Sequence, residues 1–544
     1  MVFIAEQTVP VPKKDLISWI FDEIPYDQDK PIYIDAANPK RSLSANEARI
    51  IVRKLVAGLR KWGVRPGQKD VVCLHAFNDI MYPLLFLGII GAGGIFAGTN
   101  PSNTSYEIAH HLRTSATKFI ITEPEMLERV LEATKDCKIA TSNILILDVL
   151  DQAVPEKCSS WNTLLEHGEQ DWVRFNDLET AKTTEAAHLF SSGTTGLPKA
   201  AIISHHNLVA QHALMWGDEE RDYPIKRLLV MPMFHVGALP VALCTSLKAG
   251  HVGVVMRRFD LANFLSNIER FQITDLAMVP PMVIATVMAP FTKDYNLKSV
   301  KSAMIGAAPL DKGPQMKFQE LIGAEAPCTQ VYGMTEATCI VTRIKWPEKD
   351  ITGSVGRTIP NLDMKIVDDN GADITDYNVT GEICVRGPTV IPGYLHNPVG
   401  NQAFNPEGFY HTGDVGYCDP KSKLWYIVDR KKELIKVRAW QVAPPELEAV
   451  LLSHPHIVDA AVIGVEFVRD EGQLPRAYVV RRSGPGGDSL NEEKVKKFME
   501  EKLAKYKELA GGVKFVNVIP KSASGKILKR LLRDEAKREM SAKL

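Results

Sequence analysis

Short apolar runs recur along the chain up to residue 310, with helix-forming stretches between them: VVCLHAF (71–77), FIITEP (119–124), ILILDVL (144–150), LLVMPMF (228–234), HVGVVM (251–256) and SAMIGAA (302–308). A run of about four to eight apolar residues has no face to offer water, so it predicts a strand buried on both sides. Leu43–Trp62 and Tyr106–Ser115 have helical periodicity. Buried strands alternating with helices imply parallel sheets covered on both faces. Met81 to Asn100 imitates a membrane span in length and lack of charge. Pro83 and five glycines interrupt it, which predicts a buried helix running through Gly91-Ala92-Gly93-Gly94 into a core strand. Those glycines do not complete G-x-G-x-x-G, because Phe96 stands where the last one is needed.

From about Asn361 the pattern changes. MKIVDDNGADIT has a hairpin signal at Asp369-Asn370-Gly371, and GEICVRG and LWYIVD read as strands, so this part is β-rich. After the charged cluster Arg430-Lys431-Lys432-Glu433, helical stretches (Pro445–Ser453, Asn491–Tyr506) alternate with AAVIGVE, AYVVRR and VKFVNVI. The predicted fold class is α/β: a large N-terminal domain, 1–430, of mixed and parallel sheets flanked by helices with a β-rich subdomain, then a small mobile α+β domain, 431–544.

The 544 residues carry 65 basic and 65 acidic side chains, so no basic excess exists to neutralise nucleic-acid phosphates. Eight cysteines lie far apart with no C-x-x-C pair, against a zinc site and against a secreted disulfide framework. Glu6 and two prolines occupy the start, where a signal peptide would place its apolar stretch. A reduced, intracellular, monomeric protein with no membrane span is expected.

The strongest local signal is Ser191-Ser192-Gly193-Thr194-Thr195-Gly196-Leu197-Pro198-Lys199, between the strands AAHLF and AAIISH. Small hydroxyl residues and glycines let backbone N–H and side-chain O–H groups surround a polyphosphate, and the lysine adds a point charge. The competing reading is a flexible surface loop, but loops between core strands of α/β proteins are where ligands bind. G-x-x-x-x-G-K-[ST] occurs nowhere in the chain.

Three later segments follow: Gln330-Val331-Tyr332-Gly333-Met334-Thr335-Glu336, Tyr410-His411-Thr412-Gly413-Asp414, and Pro520-Lys521-Ser522-Ala523-Ser524-Gly525-Lys526. With these in order, the chain from about residue 30 to 535 resembles the acyl- and aryl-CoA ligases of the adenylate-forming superfamily. It looks most like the 4-coumarate–CoA ligase-like enzymes, to which firefly luciferases are also similar. The resemblance implies that acid plus ATP gives an acyl-adenylate and pyrophosphate, and that CoA then gives the thioester and AMP; ATP, Mg²⁺ and CoA are the implied cofactors. Residues Ser191, Ser192, Gly193, Thr194, Thr195, Gly196 and Lys199 would hold the β- and γ-phosphates. Glu336 would ligate Mg²⁺, and Thr335 would bond the α-phosphate. Gln330 and Tyr332 would border the adenine, Val331 between them would bind the cofactor and line the acyl pocket, and Asp414 would accept from both ribose hydroxyls. Arg430 would contact ribose or phosphate. Taken singly, Asp414 reads equally as a turn residue and Glu336 as a helix N-terminal acid.

The resemblance makes Lys526 the cation of the first half-reaction, between a carboxylate and an α-phosphate that repel each other. For the second, Lys436 and Gln441 would face the adenylate after the small domain rotates about Lys432, and His235 would gate the CoA tunnel. A lone histidine is more often a satisfied core group. Two positions depart from the family: the phosphate loop ends in Ala200 instead of glycine, and Arg438-Ala439 stands where lysine-glycine is usual near CoA. The acyl pocket would be lined by Val236, Gly237, Val241, Gly306, Ala307, Ala308, Gly333 and Met334. In hydroxycinnamate-selective relatives a tyrosine stands at the position of Gly237, and a polar residue at that of Val241. Small apolar residues at both point to medium-chain fatty acids or apolar aryl acids. A luciferase-like oxygenase shares every motif. An adenylation enzyme loading a carrier protein would need a carboxylate for its α-amine, and 234–243 contains none. Ser541-Ala542-Lys543-Leu544 is a variant of the S-K-L peroxisomal address, implying an import receptor as partner; otherwise the location is cytoplasmic.

Overall fold

The computed structural model describes residues 2–191, 198–217, 221–431, 433–437, 440–465, 473–503, 505–522 and 525–541. Each of the six apolar runs forms a strand. The first sheet has seven, in the order Lys199–Ser204, Glu185–Ser191, Ile95–Gly98, Val71–His75, Thr117–Thr122, Ile144–Ile146 and Ser159–Ser160. All its neighbours are parallel except the edge pair Lys199–Ser204 and Glu185–Ser191, which is an antiparallel hairpin. The second sheet also has seven: Cys328–Gln330, Ser302–Ile305, Asp275–Met278, Lys226–Leu229, Val252–Val255, Pro31–Asp35 and Ser42–Ser44. It too is parallel apart from one edge hairpin, Pro31–Asp35 with Ser42–Ser44.

Helix Ala45–Trp62 starts where Ser44 and Glu47 cap each other's backbone N–H groups. It packs on helix Tyr82–Gly91, whose residues are all buried and which leads through Gly94 into strand Ile95–Gly98. A Cβ on Gly88 would lie 2.6 Å from Leu55 Cβ, so glycine is what lets these two helices meet. Among the described residues no helix is long and apolar enough to cross a membrane.

The β-rich part is an antiparallel sheet of Val2–Phe3, Asp363–Val367, Gly381–Arg386, Tyr410–Cys418 and Trp425–Arg430. The expected hairpin pairs Val367 with Asp373 around Gly371, whose φ is 82°. A separate three-stranded sheet pairs Tyr332–Met334 with Cys339–Arg343, and that with Arg357–Thr358. Beyond Arg430 the chain enters a different core built from Ile435, Leu447, Val462, Val479 and Val495. Its strands Ile457–Val465 and Leu474–Arg481 are covered by helices Pro444–Leu452 and Lys529–Ser541.

Candidate active site

The strands on either side of the glycine-rich segment form the edge hairpin of the first sheet, with Ser191 directly opposite Lys199. Ser192, Gly193, Thr194, Thr195 and Gly196 lie outside the described residues. Both flanks are held by helix Ser105–Thr114: His111 stacks on Phe190 with ring centroids 4.0 Å apart, and His110 Nε2 donates to the Pro198 carbonyl at 2.8 Å. The Lys199–Ser204 strand is bonded on its other side by 393–395, where Leu395 N donates to Ala200 O and Ile202 N to Gly393 O.

Glu336 comes in on the short turn Thr335–Ala337 that joins Tyr332–Met334 to Cys339–Arg343. The carboxylate and Thr335 are both buried. Ser191 Oγ donates to Glu336 Oε1 at 2.6 Å, and the Tyr394 hydroxyl donates to the same oxygen at 2.6 Å. The turn is tightly wound: Thr338 and Cys339 have φ of 56° and 129° despite carrying side chains. A Cβ on Gly333 would sit 1.9 Å from Cys339 O, so that glycine serves the hairpin whatever else it lines.

Asp414, on strand Tyr410–Cys418, accepts from the Tyr332 hydroxyl at 2.7 Å and pairs with Arg430 Nε at 3.2 Å. Burial lifts its carboxyl above the usual range, against the pull of Arg430 and the Tyr332 hydrogen bond. Gln330 is turned to structural use. Its amide Nε2 donates to Leu310 O at 2.8 Å and to Gln315 Oε1 at 3.1 Å, and its Oε1 accepts from Leu310 N at 2.8 Å. It therefore holds the 306–310 segment in place, and its amide has little left to offer a base.

Lys526 is presented by a tight turn in which Ser522 N donates to Lys526 O at 2.8 Å and Lys526 N to Ser522 Oγ at 3.2 Å. Gly525, with φ of 80°, rests against the large domain: a Cβ there would be 3.0 Å from Pro281 Cγ. Burial and the Arg430 charge lower the Lys526 ammonium, while Asp414, Glu336 and Glu433 raise it. The small domain is thus docked with Lys526 among the residues that the phosphate and ribose motifs supply. His235 is half-buried beside it. Its Nδ1 accepts from Gly237 N at 3.1 Å, and burial with the nearby Lys526 pushes it down to about 4, so the ring is neutral at pH 7.

Val236 and Val241 are buried, the latter in the π-helical turn Leu239–Thr245. Gly306 faces Val331, whose Cγ2 would be 2.9 Å from a Cβ, and Ala307 follows at φ 73°. Ala308 continues this bend, and Met334 is packed at the edge of the main core. Lys436 and Gln441 are cross-strand partners in the hairpin Ile435–Val437 with Trp440–Val442, but their side chains lie outside the described residues, as do Lys432, Arg438 and Ala439. Tyr394, His110 and His111 belong to the site and were missed, lying outside the quoted motifs; Tyr410 opens the segment that carries Asp414 but was given no role.

Among the described residues no group of three His, Cys, Asp or Glu side chains could hold a metal alone. Glu336 nevertheless fits a shared cation. Among the described residues its hydrogen bonds fall on Oε1, which leaves Oε2 for a hard ion that arrives with phosphate oxygens.

The AMP-binding enzyme family matches residues 23–395, and the AMP-binding enzyme C-terminal domain matches residues 446–526. A phenylacetyl-CoA ligase of Aspergillus niger is 48% identical over 540 residues, 98% of this chain and 99% of that protein. An acyl-CoA ligase of the same species is 48% identical over 537 residues, 98% of this chain and 100% of that protein. The crystal structure of ATP-bound MatB from Rhodopseudomonas palustris aligns with a TM-score of 0.83 at 25% identity, covering 97% of this chain and 99% of that one. With both of its domains matched and its relatives matched end to end, the chain belongs to the AMP-binding enzyme family.

Proposed function

We propose that the protein is an ATP-dependent carboxylic acid–CoA ligase. The observation that carries this reading is the meeting of Ser191, Glu336, Tyr332, Asp414 and Lys526, from four separate segments, around one site. In the first half-reaction a carboxylate oxygen forms a bond to the α-phosphorus of ATP, the bond to the bridging oxygen of the β-phosphate breaks, and pyrophosphate leaves. Lys526 stands between the two anions and stabilises the charge of the pentavalent transition state. Asp414, oriented by Tyr332 and Arg430, accepts from the ribose hydroxyls. Mg²⁺ held at Glu336 would neutralise phosphate charge. In the second half-reaction the CoA sulfur bonds to the acyl carbon, the acyl–phosphate C–O bond breaks, and AMP leaves; the thiol proton passes to solvent. Neutral His235 borders the entry.

The small apolar side chains Val236, Gly237 and Val241 support a medium-chain or apolar aryl acid, and a full-length relative named for phenylacetate supports the aryl option. Val241 offers no partner to a phenolic hydroxyl, and burying one unpaired costs ~1–3 kcal/mol. The tail Ser541-Ala542-Lys543-Leu544, of which 542–544 lie outside the described residues, supports a peroxisomal destination. A panel of acids assayed for pyrophosphate and AMP, with and without CoA, tests the activity. Preference for 4-coumarate over both hexanoate and phenylacetate would overturn the pocket reading. Unchanged distribution of an N-terminal fluorescent fusion after deletion of 542–544 would overturn the address.

A further inference from the structure

Tyr394 is 58 residues away from Glu336 in sequence, yet its buried hydroxyl donates to the carboxylate at 2.6 Å. Its backbone is fixed independently. Tyr394 N donates to Asn401 Oδ1 at 2.7 Å, Asn401 Nδ2 donates back to Tyr394 O at 3.1 Å, and the residue bridges to Ala201 of the hairpin that carries the glycine-rich loop. The preceding segment is tied to the Glu336 backbone as well, Ile391 N donating to Glu336 O at 3.0 Å. The Tyr410 hydroxyl lies 3.1 Å from that of Tyr394, and Lys199 Nζ lies 5.1 Å from the centre of the Tyr394 ring. Burial and the Glu336 charge raise the phenol well above its usual range, so it stays a donor at any physiological pH.

Two hydroxyls hold Glu336 Oε1, and they differ in what nucleotide binding does to them. Ser191 opens the glycine-rich loop and, on the reading above, turns to phosphate oxygens when ATP enters. Tyr394 is outside that loop, with its backbone anchored by Asn401, so on the same reading it would keep its bond. We propose that Tyr394 is a positioning residue for the adenylation step: it pins one oxygen of Glu336 so that the other is presented to the divalent cation accompanying ATP. This deepens the ATP-dependent reading and rests on it. An outer partner of this kind, by orienting a metal-binding carboxylate, is worth about 10–100-fold in metal affinity.

Tyr394→Phe removes the hydroxyl and keeps the ring beneath Lys199. Calorimetric titration of ATP into the full-length protein, in excess Mg²⁺ and in EDTA, gives the enhancement that Mg²⁺ confers on ATP binding. The wild type should show the enhancement, and Tyr394→Phe should lose roughly 10–100-fold of it. AMP affinity, which needs no cation, should be that of wild type. Glu336→Gln, with Tyr394 intact, should lose the same enhancement, and adding Tyr394→Phe to it should change nothing further. A wild type without Mg²⁺ enhancement, a Tyr394→Phe variant that keeps it, or parallel losses for ATP and AMP would each overturn the assignment. Failure of the ligase reading shows separately, as a wild type that releases no pyrophosphate with any acid while the binding titrations still decide the role of Tyr394.

Discussion

Gly333→Ala is the smallest change that should disable this site from within. Gly333 lies in strand Tyr332–Met334, opposite Ile340 of Cys339–Arg343. The added Cβ would lie 1.9 Å from Cys339 O, 2.7 Å from Cys339 C and 3.0 Å from Ile340 Cα. All three atoms are backbone, so no side chain can swing aside and the strands themselves must part. Ordinary contact between nonbonded carbons is roughly 3.5 Å, which demands a displacement of about 1 Å or more. The turn has no slack to give, because Thr338 and Cys339 already hold positive φ. Overpacking of this kind costs ~1–3 kcal/mol, and a backbone clash belongs at the upper end, ~3 kcal/mol. The same shift carries Tyr332 away from Asp414 and Glu336 away from Ser191, bonds now 2.7 and 2.6 Å long. A misplacement of about 1 Å costs on the order of 10²-fold in rate. Urea unfolding and pyrophosphate release at saturating ATP measure the two losses. Gly313→Ala is the matched control: it lies in helix Lys312–Ile322 with nothing within 4 Å of its would-be Cβ, and should raise stability by up to ~1 kcal/mol at unchanged rate. Wild-type stability and rate in Gly333→Ala would refute the claim that this hairpin sets the spacing of the site.

Three further outcomes are expected. Lys526→Ala should slow pyrophosphate release by about 10²–10³-fold while sparing thioester formation from synthetic acyl-adenylate, and equal damage to both steps would refute the division of labour. Gly237→Tyr is sterically admissible, since its φ is not in the left-handed region and a Cβ would meet only His235, at 3.3 Å. The ring should shorten the preferred acyl chain, each excluded methylene forfeiting up to ~0.8 kcal/mol in kcat/KM, and an unchanged chain-length profile would count against these lining residues. His205 accepts from Leu16 N at 3.1 Å, and burial pushes it down to about 4 from an ordinary value near 6.5. The unfolded chain binds that proton first, so the stabilisation is complete above pH ~6.5 and is lost as pH falls towards ~4, up to ~3 kcal/mol in all. His205→Gln, whose Oε1 can still accept from Leu16, should flatten the slope of urea stability against pH between 7.5 and 5.5; an unaltered slope would refute the assignment.

The sheets were legible because buried strands leave uninterrupted apolar runs, and the site motifs because phosphate and ribose demand particular residues close together in sequence. What stayed hidden has physical reasons. The expectation of mixed and parallel sheets did not say where the antiparallel edge lies, although only seven residues separate Ser191 from Lys199. A parallel crossover needs about a dozen, so the antiparallel edge could have been read from the loop length alone. LLVMPMF outlasts its strand, which ends at Leu229, because apolar side chains serve a buried turn as well as a sheet. Gln330 is expected to border the adenine on motif order; that its amide also bonds Leu310 and Gln315 stayed hidden, because these are long-range partners that no local pattern announces. Tyr394 escaped for the same reason: an isolated tyrosine near Asn401 reads as surface loop until folding brings it to Glu336.

Lys526 shows how the pieces depend on one another. It reaches the site only because the small domain docks, with Gly525 against Pro281, and burial lowers its ammonium against the pull of Asp414 and Glu336. Holding a cation there beside Arg430 is unfavourable until more negative charge arrives. On the proposed reaction ATP supplies that charge, so nucleotide binding and domain docking favour each other. When pyrophosphate departs it takes most of the charge with it, while the cost of burying Lys526 remains. On that reaction, the electrostatics that assemble the site for the first half-reaction would weaken its hold on the small domain once that step is complete, which is when the hairpin proposed to act through Lys436 and Gln441 would be required.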